Sequence, residues 1–338
     1  MWIVRFLLRR LLVLVPLLVG VLLFTFVLVR LGGQDPVALL AGPSATAQEI
    51  AGIRAQFGLD LPIWDQFAVY FGLVLRGDLG HSWLTGRPIL ADILERIPAT
   101  LELLLLGIGL GAAIGIPLGM LSAARHGTRL DAITRVLSLV GFSIPTYFLG
   151  LLMLLVFFYA LDVAPPGMGR ISLMYTPPPA ITGSYTLDGL IAGDWRAARS
   201  AASQLVLPVI CAAIVCSAPI IKQTRAIALG VLGSDFVRYA RACGLADTNI
   251  NRIALRNSFV PVATFTGSEL VGLVGTVSLI EYVFAWGGLG QYGLTAITRG
   301  DFSAVQGYVL TLALFSIVVF LVVDLLVLAF EPRARQRA

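Results

Sequence analysis

The chain has 338 residues, of which 58% are hydrophobic and only 13% charged, and its mean hydropathy is +0.90. So few charges cannot cover a soluble protein of this size, so a lipid bilayer is part of its solvent and a water-soluble enzyme is excluded. The net charge of +5 is carried almost wholly by arginine, with Lys222 the single lysine. No basic patch is interleaved with aromatics, so this charge reads as membrane-loop charge and not as nucleic-acid binding.

A helix needs about 20 apolar residues to cross the hydrocarbon core. Six stretches qualify, giving an expected all-α, polytopic membrane protein. The first lies between Arg10 and Arg30, the second between Glu102 and Arg125, the third between Arg135 and Asp162, and the fourth between Arg199 and Lys222. The fifth runs from about Val262 to Ile280 and the sixth from about Ala304 to Leu328. A cleaved signal peptide competes for the first, but its apolar run is too long and no small-residue cleavage site follows.

With six spans, Arg5, Arg9, Arg10, Arg125, Arg129, the basic residues of 222–256 and Arg333, Arg335 and Arg337 all fall on one side. Asp35, Glu49, Asp60, Asp65, Asp78, Asp92, Glu95, Asp188, Asp194 and Asp301 fall on the other. The positive-inside bias therefore places both termini in the cytoplasm. The expected organisation is a first helix at 1–31, an extracytoplasmic segment at 32–98, a permease core of five helices at 99–330 and a cytoplasmic tail at 331–338.

Within the first outer segment, Ile63, Trp64, Phe67, Tyr70, Phe71, Val74 and Leu75 recur at helical spacing, which predicts an amphipathic helix lying on the membrane surface. The second span carries Gly107, Gly111, Gly115 and Gly119 on one face, a ridge suited to close helix approach within this chain or at a subunit interface. The outer segment 164–204, rich in proline and glycine, reads as a loop able to meet a molecule delivered from outside.

Cys211, Cys216 and Cys243 show no metal-ligand spacing, and His81 and His126 stand apart from any acidic or cysteine cluster. No catalytic, cofactor-binding or metal site is expected. A Walker A loop needs Gly-Lys-Ser/Thr, whereas Lys222 stands between Ile221 and Gln223, so a P-loop is ruled out.

The inner loop 223–260 is the informative part. Ser234 reads as an N-cap, Asp235 sits in the first turn and Arg241 in the last, and Gly244 follows as a left-handed stop. Phe236, Val237 and Ala240 form an apolar face. A second helix is expected from Asp247, with Arg252 and Arg256 four apart, and Pro261 should bend or restart the chain at the fifth span.

The stretch Asp235-Phe236-Val237-Arg238-Tyr239-Ala240-Arg241-Ala242-Cys243-Gly244-Leu245, then Ala254-Leu255-Arg256-Asn257 and Pro261, resembles the loop that ABC-importer membrane subunits present to their ATPases. More narrowly, the chain resembles the dipeptide/oligopeptide/nickel permease family, nearest its dipeptide B-type subunits. The resemblance extends to Arg9-Arg10-Leu11, Asp35-Pro36, Gly77-Asp78-Leu79-Gly80, Pro98-Ala99-Thr100-Leu101 and Gly115-Ile116-Pro117-Leu118-Gly119. It continues through Ser143-Ile144-Pro145, residues 281–290, Asp324-Leu325-Leu326 and Pro332-Arg333. The wider importer family begins this loop with Glu-Ala-Ala. Here Arg238, Tyr239 and Ala240 occupy those places, and Cys243 stands where lysine or another polar residue is usual.

The resemblance implies a type I importer permease fold with a cytoplasmic coupling helix. It also implies a second homologous permease subunit, two ABC ATPase subunits that hold ATP and magnesium, and an extracytoplasmic substrate-binding protein, with this chain binding no cofactor itself. It makes Asp235, Phe236, Val237, Arg238, Ala240, Arg241, Gly244, Leu245, Arg256 and Pro261 the expected ATPase-coupling residues. The expected cargo is dipeptides or short oligopeptides; nickel, glutathione or another small solute is the alternative. Glu269, Glu281 and Asp324 are acids at or near membrane depth, expected to serve as pore-lining or structural groups. A proton-coupled carrier would use them otherwise, but the sequence shows neither an internal repeat nor a relay of acids. A membrane enzyme would need a Ser-His, Cys-His or His-Glu cluster, which is absent.

Overall fold

The computed structural model describes residues 12, 15–27, 46, 48 and 61–330, side chains excepted for 326–330. Arg5, Arg9, Arg10 and Arg30, most of segment 32–60 and the tail 331–338 lie outside the described residues. Eleven helices account for the described chain, in order α1 (Val15–Val27), α2 (Ile63–Leu75), α3 (Ile89–Ala124) and α4 (Arg129–Ser143). Next come α5 (Thr146–Met153, continued as a π-helical stretch Leu154–Ala160), α6 (Tyr185–Ile191), α7 (Trp195–Leu232) and α8 (Asp235–Ala242). The last are α9 (Asp247–Val283), α10 (Leu289–Arg299) and α11 (Phe302–Phe330). The only extended pairing among the described residues is an isolated bridge between His81 and Pro88.

Helices α3, α7, α9 and α11 are long and apolar enough to cross a membrane, and α4 with α5 passes the same test as a bent pair. These match the second to sixth expected spans. The third is not the continuous helix expected: it breaks by 99° between Ser143 and Thr146. Proline at 145 disfavours helical geometry in the residue before it, and Ile144 is extended, with φ −76° and ψ 122°. Pro145 also supplies no N–H to α4, so α5 starts afresh behind it.

The chain divides into two compact units, one of residues 1–97 with 292–317, the other of 98–291 with 318–338. In the first unit, Phe67 and Tyr70 of α2 pack on Phe26 of α1, with ring centroids 5.4 and 5.8 Å apart. Part of the stripe expected to face the membrane surface is thus covered by protein, while Trp64 and Leu75 are exposed. The turn at Gly77–Gly80 needs left-handed backbone at both glycines. It leads to two buried acids. Asp92 accepts from Thr85 Oγ1 (2.6 Å) and Arg96 Nη1 (3.1 Å), and Asp301 accepts from Ser82 Oγ (2.6 Å) while capping α11 through Ala304 N (3.1 Å).

In the second unit the glycine ridge of α3 is the seat of α7. A Cβ at Gly107 would come 2.7 Å from Ala212 Cβ, at Gly115 2.8 Å from Ile220 Cγ2 and at Gly119 2.7 Å from Thr224 Cβ, while at Gly111 it would overlap Cys216 Sγ. Backbones this close recover dispersion energy that lipid cannot supply. The ridge therefore packs within this chain. The partner numbers rise together, so α3 and α7 run in the same direction, and the chain between them must cross back. The bent pair does so: Asp131 at its start contacts Arg225, and Gly150 beyond the break lies against Val283 at the far end of α9. The pair is therefore one broken crossing and not a re-entrant loop.

Candidate functional site

The inner connection between α7 and α9 is a capped elbow. Helix α8 begins after Ser234 and ends in two bonds of a Schellman motif, Gly244 N to Arg241 O (2.9 Å) and Leu245 N to Ala240 O (3.2 Å), with Gly244 at φ +80°. The expected start, stop, first-turn Asp235 and last-turn Arg241 are all in place. The cap bond is not: the Ser234 hydroxyl donates to Val231 O (2.5 Å) at the end of α7, tying the two helices together. The expected apolar face is also divided. Val237 is 1% exposed and anchors the helix, but Phe236 (49%) and Tyr239 (72%) face solvent beside Arg238 and Arg241. Arg238 pairs with Asp235 on the same helix (3.4 Å), and among the described residues this exposed aromatic and basic surface on a short, anchored helix is left open to a partner.

Downstream, the second inner helix and the fifth span are one element, α9, which runs through Pro261 without interruption. A proline removes a single intrahelical bond, which an apolar span tolerates where neighbouring groups satisfy the freed carbonyl. Arg256 and Pro261 are exposed on this helix, and buried Ile250, Ala254 and Ser258 hold its opposite face.

Sequence reasoning missed the clamp at the elbow end of α7. Asp131, 1% exposed, accepts from Arg225 Nε (2.6 Å) and Nη2 (2.9 Å), from Ser122 Oγ (2.6 Å) and from Gly127 N (3.1 Å). This bidentate, charge-assisted pair ties α3, α4 and α7 together. The available signal was Asp131, an acid standing among loop arginines.

The three intramembrane acids separate by role. Glu281 is fully buried and accepts from Thr100 Oγ1 (2.6 Å) and Gln291 N (2.9 Å), while Thr100 Oγ1 also accepts from Leu289 N (2.7 Å). Trp286, 2% exposed, donates from its ring nitrogen to Ala99 O (3.0 Å). This brace holds Ala285 in left-handed backbone (φ 48°) and leaves no room for a Cβ at Gly288, which would sit on the carboxylate. Glu281 thus braces the turn at Ala285–Gly288. Glu269 is half-buried and lines a cavity of about 210 Å³ beside Ile144 and Thr146, at the break in the third crossing. Asp324 is half-buried on α11 next to Val323, which packs on Gly267 of α9.

At the opposite end from the elbow, the 164–194 connection is folded and not a loose loop. Arg170 donates to Gly183 O, lies 3.8 Å over the Tyr185 ring and 3.9 Å from Glu102, and Ser184 Oγ donates to Glu102 (2.7 Å). Burial pulls the Arg170 guanidinium below its ordinary range against the pull of Tyr185 and Glu102. The Asp188 carboxylate accepts from Thr182 N (2.7 Å), Thr182 Oγ1 (2.7 Å), Gly183 N (3.0 Å) and Ile181 N (3.2 Å). Burial pushes its pKa up, and those bonds outweigh it and hold the group below its usual value. Asp92, Asp188 and Asp301, expected among the outer acids, are thus buried clamps and not solvated charges.

These features define a polytopic, all-α membrane protein with a capped, exposed elbow between two of its crossings. Residues 115–336 match the family described as binding-protein-dependent transport system inner membrane component, and residues 3–104 match the N-terminal part of such components. The chain belongs to that family and is a permease of the membrane. Curated relatives carry the same stamp over nearly their full length. The chain is 39% identical over 321 residues to the "Probable D,D-dipeptide transport system permease protein" of Escherichia coli (strain K12), covering 95% of this chain and 94% of the relative. It is 35% identical over 337 residues to the dipeptide transport system permease protein of the same organism (98% and 99%). It is 31% identical over 334 residues to the glutathione transport system permease protein of Salmonella choleraesuis (strain SC-B67) (98% and 99%).

Proposed function

We propose that this chain is the membrane-spanning half of an ATP-driven importer that carries dipeptides or short oligopeptides across the cytoplasmic membrane. Its termini and elbow face the cytoplasm and its 164–194 connection faces outward. A second homologous permease completes the pathway, two ABC ATPases hold ATP and magnesium, and an extracytoplasmic binding protein delivers cargo. Dipeptide relatives head the similarity and a glutathione relative follows, which favours short peptides over nickel or other solutes. The chain itself contributes motion and a path, not chemistry.

The single observation that carries the reading is the outer surface of α8: Phe236, Arg238, Tyr239 and Arg241 exposed on a helix whose Val237 is fully buried, whose start is hydrogen-bonded to α7 and whose end is closed by the Gly244 cap just before α9. Such a helix passes a push to both long helices without absorbing it. Glu269 lines the path beside the Ile144 break, where helix tilting would reshape the cavity. The test is Arg241→Glu in the assembled transporter. Co-purification of the ATPases should fall by about tenfold or more, as expected for losing and reversing one interfacial charge; unchanged association and unchanged ATP-dependent peptide uptake would overturn the proposal.

A further inference from the structure

The end of α7 away from the elbow borders a cavity of about 790 Å³, within the range of small-ligand sites. Its lining includes Arg196, Arg199, Ser200, Ser203 and Gln204 from three successive turns of α7, with Trp195 at the rim. Both guanidiniums are exposed, and among the described residues neither has an ion-pair or hydrogen-bond partner. Gln204 is only 5% exposed, and its carbonyl oxygen lacks any hydrogen-bond partner. An orphaned buried acceptor is destabilising, so its retention needs a reason. Among the described residues no acidic side chain lines the cavity.

We propose that this cavity is a receiving site for short peptides. Arg196 and Arg199 take the terminal carboxylate, and the Gln204 carbonyl, sealed from solvent until its side chain turns toward the cavity, takes an N–H donor at the other end. Arg199 and Gln204 lie five positions apart on α7, an axial rise of about 7.5 Å, and an extended dipeptide is of similar length, about 7 Å. Ser203 Oγ donates to Ser200 O (2.7 Å), and Ser200 Oγ accepts from Ser172 N (3.1 Å), which leaves both hydroxyl oxygens with acceptor capacity toward the donor end. The two arginines select for a carboxylate, and the neutral acceptors accommodate side-chain variety without a fixed counter-charge. This site rests on the peptide reading above and deepens it, because it gives the permease itself a preference for the carboxyl terminus.

The test uses the complete transporter in nanodiscs without its binding protein. Saturation-transfer NMR is recorded with millimolar alanyl-alanine and with its C-terminal amide. The acid should give a contact signal about tenfold stronger than the amide, and Arg199→Gln should remove that preference, as expected for one charge-assisted pair. Gln204→Leu should weaken both ligands by severalfold, Arg196→Gln should lower the acid-over-amide preference as Arg199→Gln does, and an unchanged size-exclusion profile for each variant excludes misfolding as the cause. ATP-driven alanyl-alanine uptake with the binding protein present is measured on the same preparations. A wild-type transporter that imports the peptide but shows no acid-over-amide preference overturns the site alone. The site also falls if the arginine variants lose binding-protein association with an unaltered peptide signal, since the cavity would then hold a protein loop. A wild-type transporter that imports no peptide overturns the function and the site together.

Discussion

Gly244 is the residue on which the elbow's rigidity turns, and Gly244→Val isolates it. At φ +80° the backbone is left-handed, where a β-branched side chain costs about 1–2 kcal/mol. No atom lies within 4 Å of a Cβ built there, so the cost is conformational and not a clash. The two Schellman bonds, Gly244 N to Arg241 O and Leu245 N to Ala240 O, would exchange for water at a net loss of about 1 kcal/mol. The strain alone lowers the ratio of capped to uncapped elbow by about five- to thirtyfold, the bonds being lost only as the cap opens, while the long helices and membrane insertion are untouched. The assay is ATP hydrolysed per labelled peptide imported in proteoliposomes containing the full complex. Valine should raise that ratio by about tenfold or more, and Gly244→Asn, which tolerates left-handed backbone, should recover most of the coupling. Wild-type coupling in the valine variant would refute the idea that a rigid cap transmits the stroke.

Three further outcomes follow from the packing. Asp131→Asn leaves Arg225 without its bidentate partner and should cost about 3 kcal/mol, read as a lower unfolding temperature in detergent; Asp131→Leu with Arg225→Met should recover part of it. Gly111→Val places carbon on Cys216 Sγ and should force α3 from α7 at a cost of about 1–3 kcal/mol, whereas Gly109→Val, with open space around it, should be silent; a thermal-shift comparison of the two decides the point. Asp188 is depressed in the fold, so its contribution is present above the ordinary carboxylate range and lost as pH falls through its lowered value. Protease protection of the 164–194 connection should therefore hold from pH 7 to 5 and decline below about pH 4, and Asp188→Asn should already show the loss at neutral pH.

What the sequence made legible was whatever depends on neighbours along the chain. Five crossings, the start and stop of α8 and the left-handed Gly244 all follow from apolar run length and turn chemistry within a few residues. The break in the third crossing was written there too, in Ser143-Ile144-Pro145, but an apolar run read for length alone hides it because Pro145 contributes no charge. Pro261 taught the converse: the same residue inside α9 ends nothing, so a proline's effect depends on whether its surroundings satisfy the carbonyl it frees. The buried pairs could not be read, because their partners are far apart in sequence. Arg225 and Asp131 are 94 positions apart, and Thr100 and Glu281 are 181 apart. Each looked like an ordinary loop charge or a stray membrane acid.

The glycine ridge shows how a local pattern and a distant one combine. Four-residue spacing announces that some helix will sit against α3, but only the partner numbers, Ala212 through Thr224, reveal that the neighbour runs parallel. That parallel pair then decides the status of the broken segment, since α4 and α5 must bring the chain back across. The break at Ile144 consequently lies in a crossing whose one end is fixed by Asp131 to Arg225 on the elbow side, while its other end rests on Val283. On the proposed coupling, a push on α8 that tilts α7 acts on the bent crossing through its clamped end. The Ile144 break, bordered by the Glu269 cavity, is the place where that crossing can change angle without breaking a helical hydrogen bond.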